Sequence, residues 1–218
     1  YLKEHNRSIK IPIFYDDLLR FHGCVILYDK NEEDTLWVRT YFSEFEREEI
    51  DLCLKKIYTL LHSDGNEETI PYLNVDAIDF CTFGNSKPFR IKIRNILNDN
   101  YTYFYVKKAD ASRVYGLELE HILSPHSINF LIYKDTLIEE HIAGIPGDDF
   151  IRDFLPKCSE SEKAQIAKEF VNFLSKSNSY FAEKGLYEYQ AMWISESNYL
   201  LLTQLLDLNG YRIFYENQ

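Results

Sequence analysis

The sequence predicts an α+β fold: an N-terminal β-β-α block, an antiparallel sheet with one short helix, and a mainly helical C-terminal segment. Several runs of residues alternate apolar and polar side chains, as half-buried strands do. Two helix candidates follow a capping-box sequence, and short turn sequences separate neighbouring strand candidates. These segments predict three regions, which span residues 1–66, 67–149 and 150–218.

The first region begins with a predicted hairpin and continues into a helix. Strand candidates at Gly23–Tyr28 and Leu36–Phe42 flank an acidic turn, DKNEED. Ser43 and Glu46 form a capping box, and apolar residues then recur at helical spacing as far as His62. The polar segment after this helix lacks periodicity, so it predicts a linker to the second region.

The second region is rich in strand sequences. Strands are predicted at Val75–Phe83, Lys87–Asn95 and Tyr101–Lys108, with Gly84 in the turn between the first two. A helix is predicted at Ser112–Leu123, and a further hairpin follows it. Because short turns join these strands, the pattern predicts an antiparallel sheet with one helix inserted.

Composition narrows the class of protein. Hydrophobic residues make up 45% and charged residues 27% of the chain, which is typical of globular domains. The formal charge of −11 disfavours nucleic acid as a partner, because an acidic surface repels phosphates. No apolar run approaches the roughly 20 residues of a membrane span. The cysteines lie far apart, which disfavours a zinc site or a disulfide framework and predicts a cytoplasmic protein: Cys24, Cys53, Cys81 and Cys158.

One carboxylate of the predicted Ser112–Leu123 helix lies on its apolar side. On a helical wheel Glu118 falls within the apolar arc, whereas Glu120 points nearly opposite. A carboxylate on an apolar face is costly unless a cation pairs with it. Lys107 and Lys108 end the preceding strand, and alternation points them to opposite faces, so at most one can face a pocket. We favour a pair of Lys107 with Glu118.

The order of these elements resembles the small lobe of a protein-kinase-like fold, of the atypical bacterial type found in lipopolysaccharide kinases and small-molecule kinases. The resemblance implies that Lys107 and Glu118 hold the phosphates of ATP and that the Gly84 turn stands where a glycine-rich loop covers them. It also implies a hinge around Glu140 and Ile142, whose backbone groups would pair with adenine.

The C-terminal region contains the positions at which a kinase has its catalytic and metal-binding residues. A capping box of Ser159 with Glu162 opens a helix with the length of the long helix in a kinase large lobe. A kinase then places its catalytic Asp five residues before a metal-binding Asn, and here Trp193 stands five residues before Asn198. Glu216 is the only acid near the position of the second metal-binding Asp. The resemblance thus implies Mg²⁺ ligands at Asn198 and Glu216 and no catalytic residue.

Three functions remain open at this point. The first is a pseudokinase that acts as an interaction or regulatory module, binds a protein partner and retains a nucleotide site. The second is a non-enzymatic α+β binding or accessory protein without a nucleotide site. The third is an active atypical phosphotransferase.

Overall fold

The structure, a computed structural model, describes residues 8–63, 65–123, 128–145, 149–169 and 172, without the side chains of residues 119, 120, 122 and 123. Its main element is a seven-stranded antiparallel sheet of order β1-β2-β3-β4-β5-β7-β6, so the α+β fold is confirmed. The strands are β1 (Gly23–Tyr28), β2 (Asp34–Tyr41), β3 (Leu73–Cys81), β4 (Phe89–Asn95), β5 (Tyr101–Lys108), β6 (Phe130–Tyr133) and β7 (Thr136–Glu140). The helices described with them are α1 (Tyr15–Leu18), α2 (Glu44–His62) and α3 (Ala111–Leu123).

The division of the chain differs from the predicted one. Two compact units are formed, the first by Tyr1–Glu118 with Ser127–Ile142 and the second by Leu119–His126 with Ala143–Gln218. The N-terminal hairpin belongs to the same sheet as the later strands, because β2 pairs with β3. The segment predicted as a linker contains a 3₁₀ helix, Glu67–Tyr72, that leads from α2 into β3. Its polar composition indicated exposure, but it did not mark a boundary between domains.

One face of the sheet carries the core of the first unit. Helix α2 begins after Ser43, whose backbone N–H donates to a Glu46 carboxylate oxygen at 3.3 Å, so the predicted capping box is confirmed. Its apolar stripe is buried in the core cluster together with inward-facing strand residues. The buried members from α2 are Ile50, Leu54, Ile57 and Leu61.

The N-terminal segment completes this core. Ser8 forms a parallel bridge with Ile132 of β6, at the edge of the sheet. The backbone N–H of Tyr15 donates to the Thr136 hydroxyl at 3.0 Å. The segment also buries three apolar side chains, Ile11, Ile13 and Leu18. The first described residues of the chain therefore contact β6 and β7, although these two strands come much later in the sequence.

The opposite face of the sheet carries charges. The strand registers place Arg39, Asp79, Arg90, Tyr105 and Glu139 side by side on β2, β3, β4, β5 and β7. We call these five residues the charged row. Cross-strand neighbours point to the same face, so β2, β3 and β4 present a cation, an acid and a cation there, and Tyr105 separates them from Glu139.

In the second unit the described residues form short helical segments. A π-helical turn at Phe150–Phe154 and a 3₁₀ turn at Leu155–Lys157 precede a helix that includes residues 160–169. Ser159 and Glu162 form the predicted capping box: the Ser159 backbone N–H donates to the Glu162 carboxylate at 2.8 Å, and the Glu162 backbone N–H donates to the Ser159 hydroxyl at 3.3 Å. The predicted positions at Trp193, Asn198 and Glu216 lie outside the described residues.

Candidate functional site

The candidate site lies at one end of the charged row, where β5 and β7 run side by side. Lys107 is opposite Leu137 in the register, and Glu139 is two residues further along β7, on the same face. The Lys107 ammonium forms an ion pair with the Glu139 carboxylate. The two side chains are 17% and 3% exposed, so this pair is largely shielded from water.

Helix α3 supplies a second cation to the same carboxylate. Arg113 Nε donates to Glu139 Oε1 at 2.6 Å, while about half of the Arg113 side chain stays exposed. Burial would raise the pKa of Glu139, but hydrogen bonds and charges from Arg113 and Lys107 outweigh burial and hold that pKa below its ordinary value. The carboxylate is therefore ionised and held from a strand and a helix at once.

The ion pair differs from the predicted one. The sequence pairs Lys107 with Glu118, whereas the carboxylate that the Lys107 ammonium contacts is Glu139. Glu118 is buried on α3, at 7% exposure, as its place in the apolar arc predicts. Lys108 is exposed and points to the other face of β5. Of the two lysines, Lys107 is thus the one that lies in the site.

The Gly84 turn lies at the same end of the sheet as Lys107. The register pairs Phe89, the first residue of β4, with Val106, which directly precedes Lys107. Gly84 belongs to the loop just before β4 and has φ +82°, a conformation that glycine adopts without strain. A Cβ added at Gly84 would meet no atom within 4 Å. The backbone of this turn is therefore open to an approaching group.

The predicted hinge continues β7. The Glu140 side chain points to the face opposite Glu139, where its carboxylate accepts from the Asn129 backbone N–H at 2.6 Å and from the Asn129 side chain at 3.1 Å. The backbone N–H of Glu140 donates to Asn129, and that of His141 donates to Tyr103. Ile142 follows and is exposed. The Glu140 side chain thus fixes the β6–β7 hairpin and does not face Lys107.

Sequence reasoning missed Glu139 and Arg113. Glu139 stands beside Glu140, and only the pairing of β5 with β7 shows which of the two shares a face with Lys107. Arg113 lies in the first turn of α3, where a cation signals nothing by itself. An acid that directly follows two apolar residues, Leu137 and Ile138, in a buried strand was the available signal for Glu139.

Comparison of the chain with protein-family models, curated proteins and solved structures gives no match. Among the described residues, no helix is both long and apolar enough to cross a bilayer. In the same part of the chain, no three His, Cys, Asp or Glu side chains are grouped so as to hold a metal ion.

Proposed function

We propose that the chain is a kinase-like domain that binds a nucleotide through Lys107 and acts as an interaction or regulatory module for a protein partner. The observation that carries this proposal is the shielded ion pair of Lys107 with Glu139, at the end of the sheet where the Gly84 turn also lies. Kinase-like folds hold a strand lysine near the phosphates through a glutamate of the following helix. In this chain the carboxylate that holds Lys107 comes from β7, and helix α3 contributes Arg113 to the same carboxylate.

The arrangement of elements supports the proposal. Strands β3, β4 and β5 lie in sequential order, α3 follows β5, and β7 lies between β5 and β6. The sequence resemblance assigns β3 to β5 to the first three strands of a small lobe, α3 to the helix, and the end of β7 to the hinge. A single sheet with these connections agrees with that assignment.

The residues present fit ATP in two respects. The Gly84 turn leaves its backbone accessible to a phosphate, and Lys107 lies at the same end of the sheet. Mg²⁺ would require Asn198 and Glu216, which lie outside the described residues. The chain has Trp193 where a kinase has its catalytic Asp. We therefore propose nucleotide binding without phosphoryl transfer. The free cysteines of the chain support a reducing, cytoplasmic compartment.

A second candidate is a binding or accessory protein without a nucleotide site. One observation favours it: Glu139 already matches the charge of Lys107, and Arg113 shares that carboxylate. In that case the ion pairs serve only to hold α3 and β7 together.

Thermal unfolding with ATP, with and without Mg²⁺, distinguishes the two candidates. The first predicts a higher melting temperature with ATP, because a ligand that binds only the folded state stabilises it. Lys107→Met should abolish this increase. Lys108→Met, which removes an exposed neighbouring charge, should retain it.

A melting temperature that ATP leaves unchanged would favour the second candidate. An ATP effect that survives Lys107→Met would show that the nucleotide binds elsewhere. Transfer of labelled γ-phosphate by the wild-type chain would contradict the assignment as a pseudokinase.

A further inference from the structure

The outer edge of β1 is open and apolar. β1 is the terminal strand of the sheet, and within the described ranges no residue pairs with its outer edge. Its sequence, GCVILY, has no charged residue. Val25, Ile26 and Tyr28 are 55%, 44% and 61% exposed. An uncharged edge strand with exposed apolar side chains on both faces is a template for pairing with another strand.

The two edges of the sheet differ in this respect. At the opposite edge, Ser8 bridges Ile132 of β6, so the N-terminal segment covers part of that strand. Natural proteins protect edge strands with lysine, proline or a bulge. β1 contains neither lysine nor proline, and its pairing with β2 is irregular only between Leu27 and Tyr28. The protection that other edge strands have is therefore missing along most of β1.

The charges that flank β1 favour one orientation of a partner strand. Arg20 and His22 precede the strand, whereas the turn that follows it, DKNEED, holds four acids and one lysine. In a parallel pair, two acidic turns would lie side by side. In an antiparallel pair, the acidic turn of each copy lies beside the basic flank of the other.

We propose that β1 pairs antiparallel with β1 of a second copy of this chain, which joins two sheets across a two-fold axis. The two-fold axis is normal to the sheet and keeps each residue on its own face, so opposed residues must differ by an even number of positions. A register centred on Val25 places Val25 opposite Val25 and Gly23 opposite Leu27 of the second copy. Because β6 is partly covered by Ser8, the association closes at two copies and does not grow into a fibre.

The interface is small, and this limits its strength. One pair of six-residue strands buries less than the roughly 1,200 Å² of a standard interface, so the dimer should be weak and concentration-dependent. Each chain carries a formal charge of −11, which opposes association. At about 0.15 M salt the screening length is about 8 Å, so charges far from β1 contribute little. Arg20 and His22 also contact Asp17 and Glu46 of their own chain, so they direct orientation more than affinity.

Sedimentation velocity over a range of protein concentrations tests the proposal. The wild-type chain should sediment faster as its concentration rises. Val25→Lys should stay monomeric, because the substitution places a charge at the centre of the strand pair. Leu97→Lys is the matched control, since Leu97 is 69% exposed in the loop between β4 and β5, and it should dimerise as the wild type does. Both variants should retain the wild-type melting temperature.

Amide hydrogen exchange across residues 23–28 gives the second measurement. In the wild type the exchange should slow as concentration rises, and in Val25→Lys it should not. A wild-type chain that stays monomeric would overturn the proposal. Dimers of unchanged affinity in Val25→Lys would place the contact elsewhere and overturn it too. Amides 23–28 that are protected equally at every concentration would show that the chain covers its own β1, which also overturns it.

Discussion

Two buried carboxylates of the charged row, Asp79 and Glu139, are held in different ways. Each side chain is 3% exposed and lies between two cations. Asp79 accepts from Arg39 and Arg90, which come from the strands on either side of β3. Glu139 accepts from Lys107 on the neighbouring strand and from Arg113 on helix α3. The first cluster therefore depends on strand register alone, and the second also depends on a helix.

The cations of the two clusters also differ in their contacts and in their exposure to solvent. Arg90 is stacked over the Trp37 ring, with 4.4 Å from its guanidinium carbon to the ring centroid. The Arg113 side chain is 47% exposed, whereas the Arg90 side chain is 28% exposed. Loss of the shared carboxylate should therefore leave a less buried charge at Arg113 than at Arg90.

Asp79→Asn should have the largest effect on stability. The substitution leaves Arg39 and Arg90 without their shared anion in a partly buried place, which costs about 3 kcal/mol in the free energy of unfolding. Urea denaturation measures this loss. The control is Asp99→Asn, which removes an 81% exposed partner of Arg94 and should cost less than about 1 kcal/mol. Equal losses for the two variants would show that burial of Asp79 contributes nothing.

Glu139→Gln should cost less, about 2 kcal/mol, because the Arg113 side chain is 47% exposed, so a smaller part of the uncompensated positive charge is buried. A double-mutant cycle with Lys107→Met isolates the ion pair. We expect a coupling energy of about 1 kcal/mol, since the two side chains are in contact. Additive losses would mean that Lys107 and Glu139 do not interact energetically. A larger loss for Glu139→Gln than for Asp79→Asn would reverse the comparison of the two clusters.

Acid should remove the contribution of Glu139. Its pKa is below the ordinary value of 4.5, so the folded state binds a proton less readily than the unfolded state. The stabilisation is complete above pH 4.5 and is lost as pH falls through the folded pKa. The difference in unfolding free energy between wild type and Glu139→Gln should therefore shrink in that acidic range. A difference that does not change with pH would show that the charge of Glu139 is irrelevant.

The smallest effect on stability should come from the contact of His62 with Glu140, which lies on the opposite face of β7. At the end of α2, the distance from His62 Nδ1 to Glu140 Oε2 is 3.8 Å. Burial lowers the pKa of His62 below 6.5, although Glu140 opposes this. Stability is therefore complete above pH 6.5 and decreases as pH falls through the folded pKa. His62→Gln should remove this pH dependence in denaturation experiments, and an unchanged dependence would assign it to another group.

Local patterns predicted the elements of the fold well. Alternation predicted the bounds of β1 and β5, and the capping boxes predicted the starts of α2 and of the helix after Ser159. These signals depend on residues close in sequence, so a single chain displays them. Glu118 was likewise predicted to be buried from the periodicity of its own helix.

Contacts between distant segments were not predictable in the same way. The choice of Glu139 over Glu118 as the partner of Lys107 depends on how β5 is aligned with β7. A shift of one residue would present Glu140 to Lys107 instead. The joining of β2 to β3 likewise depends on Val38 and Thr40 being buried against a sheet formed later in the chain.

The hydrogen bond between Tyr15 and Thr136 has a consequence for synthesis of the chain. The two residues are 121 positions apart. At about 5–20 residues per second, a ribosome needs roughly 6–24 s to add β7 after Tyr15 has been made. During that time the N-terminal segment can already contact β4, through the rings of Tyr15 and Phe89, but it lacks its partners on β6 and β7. Its docking is therefore completed only after β7 has been made.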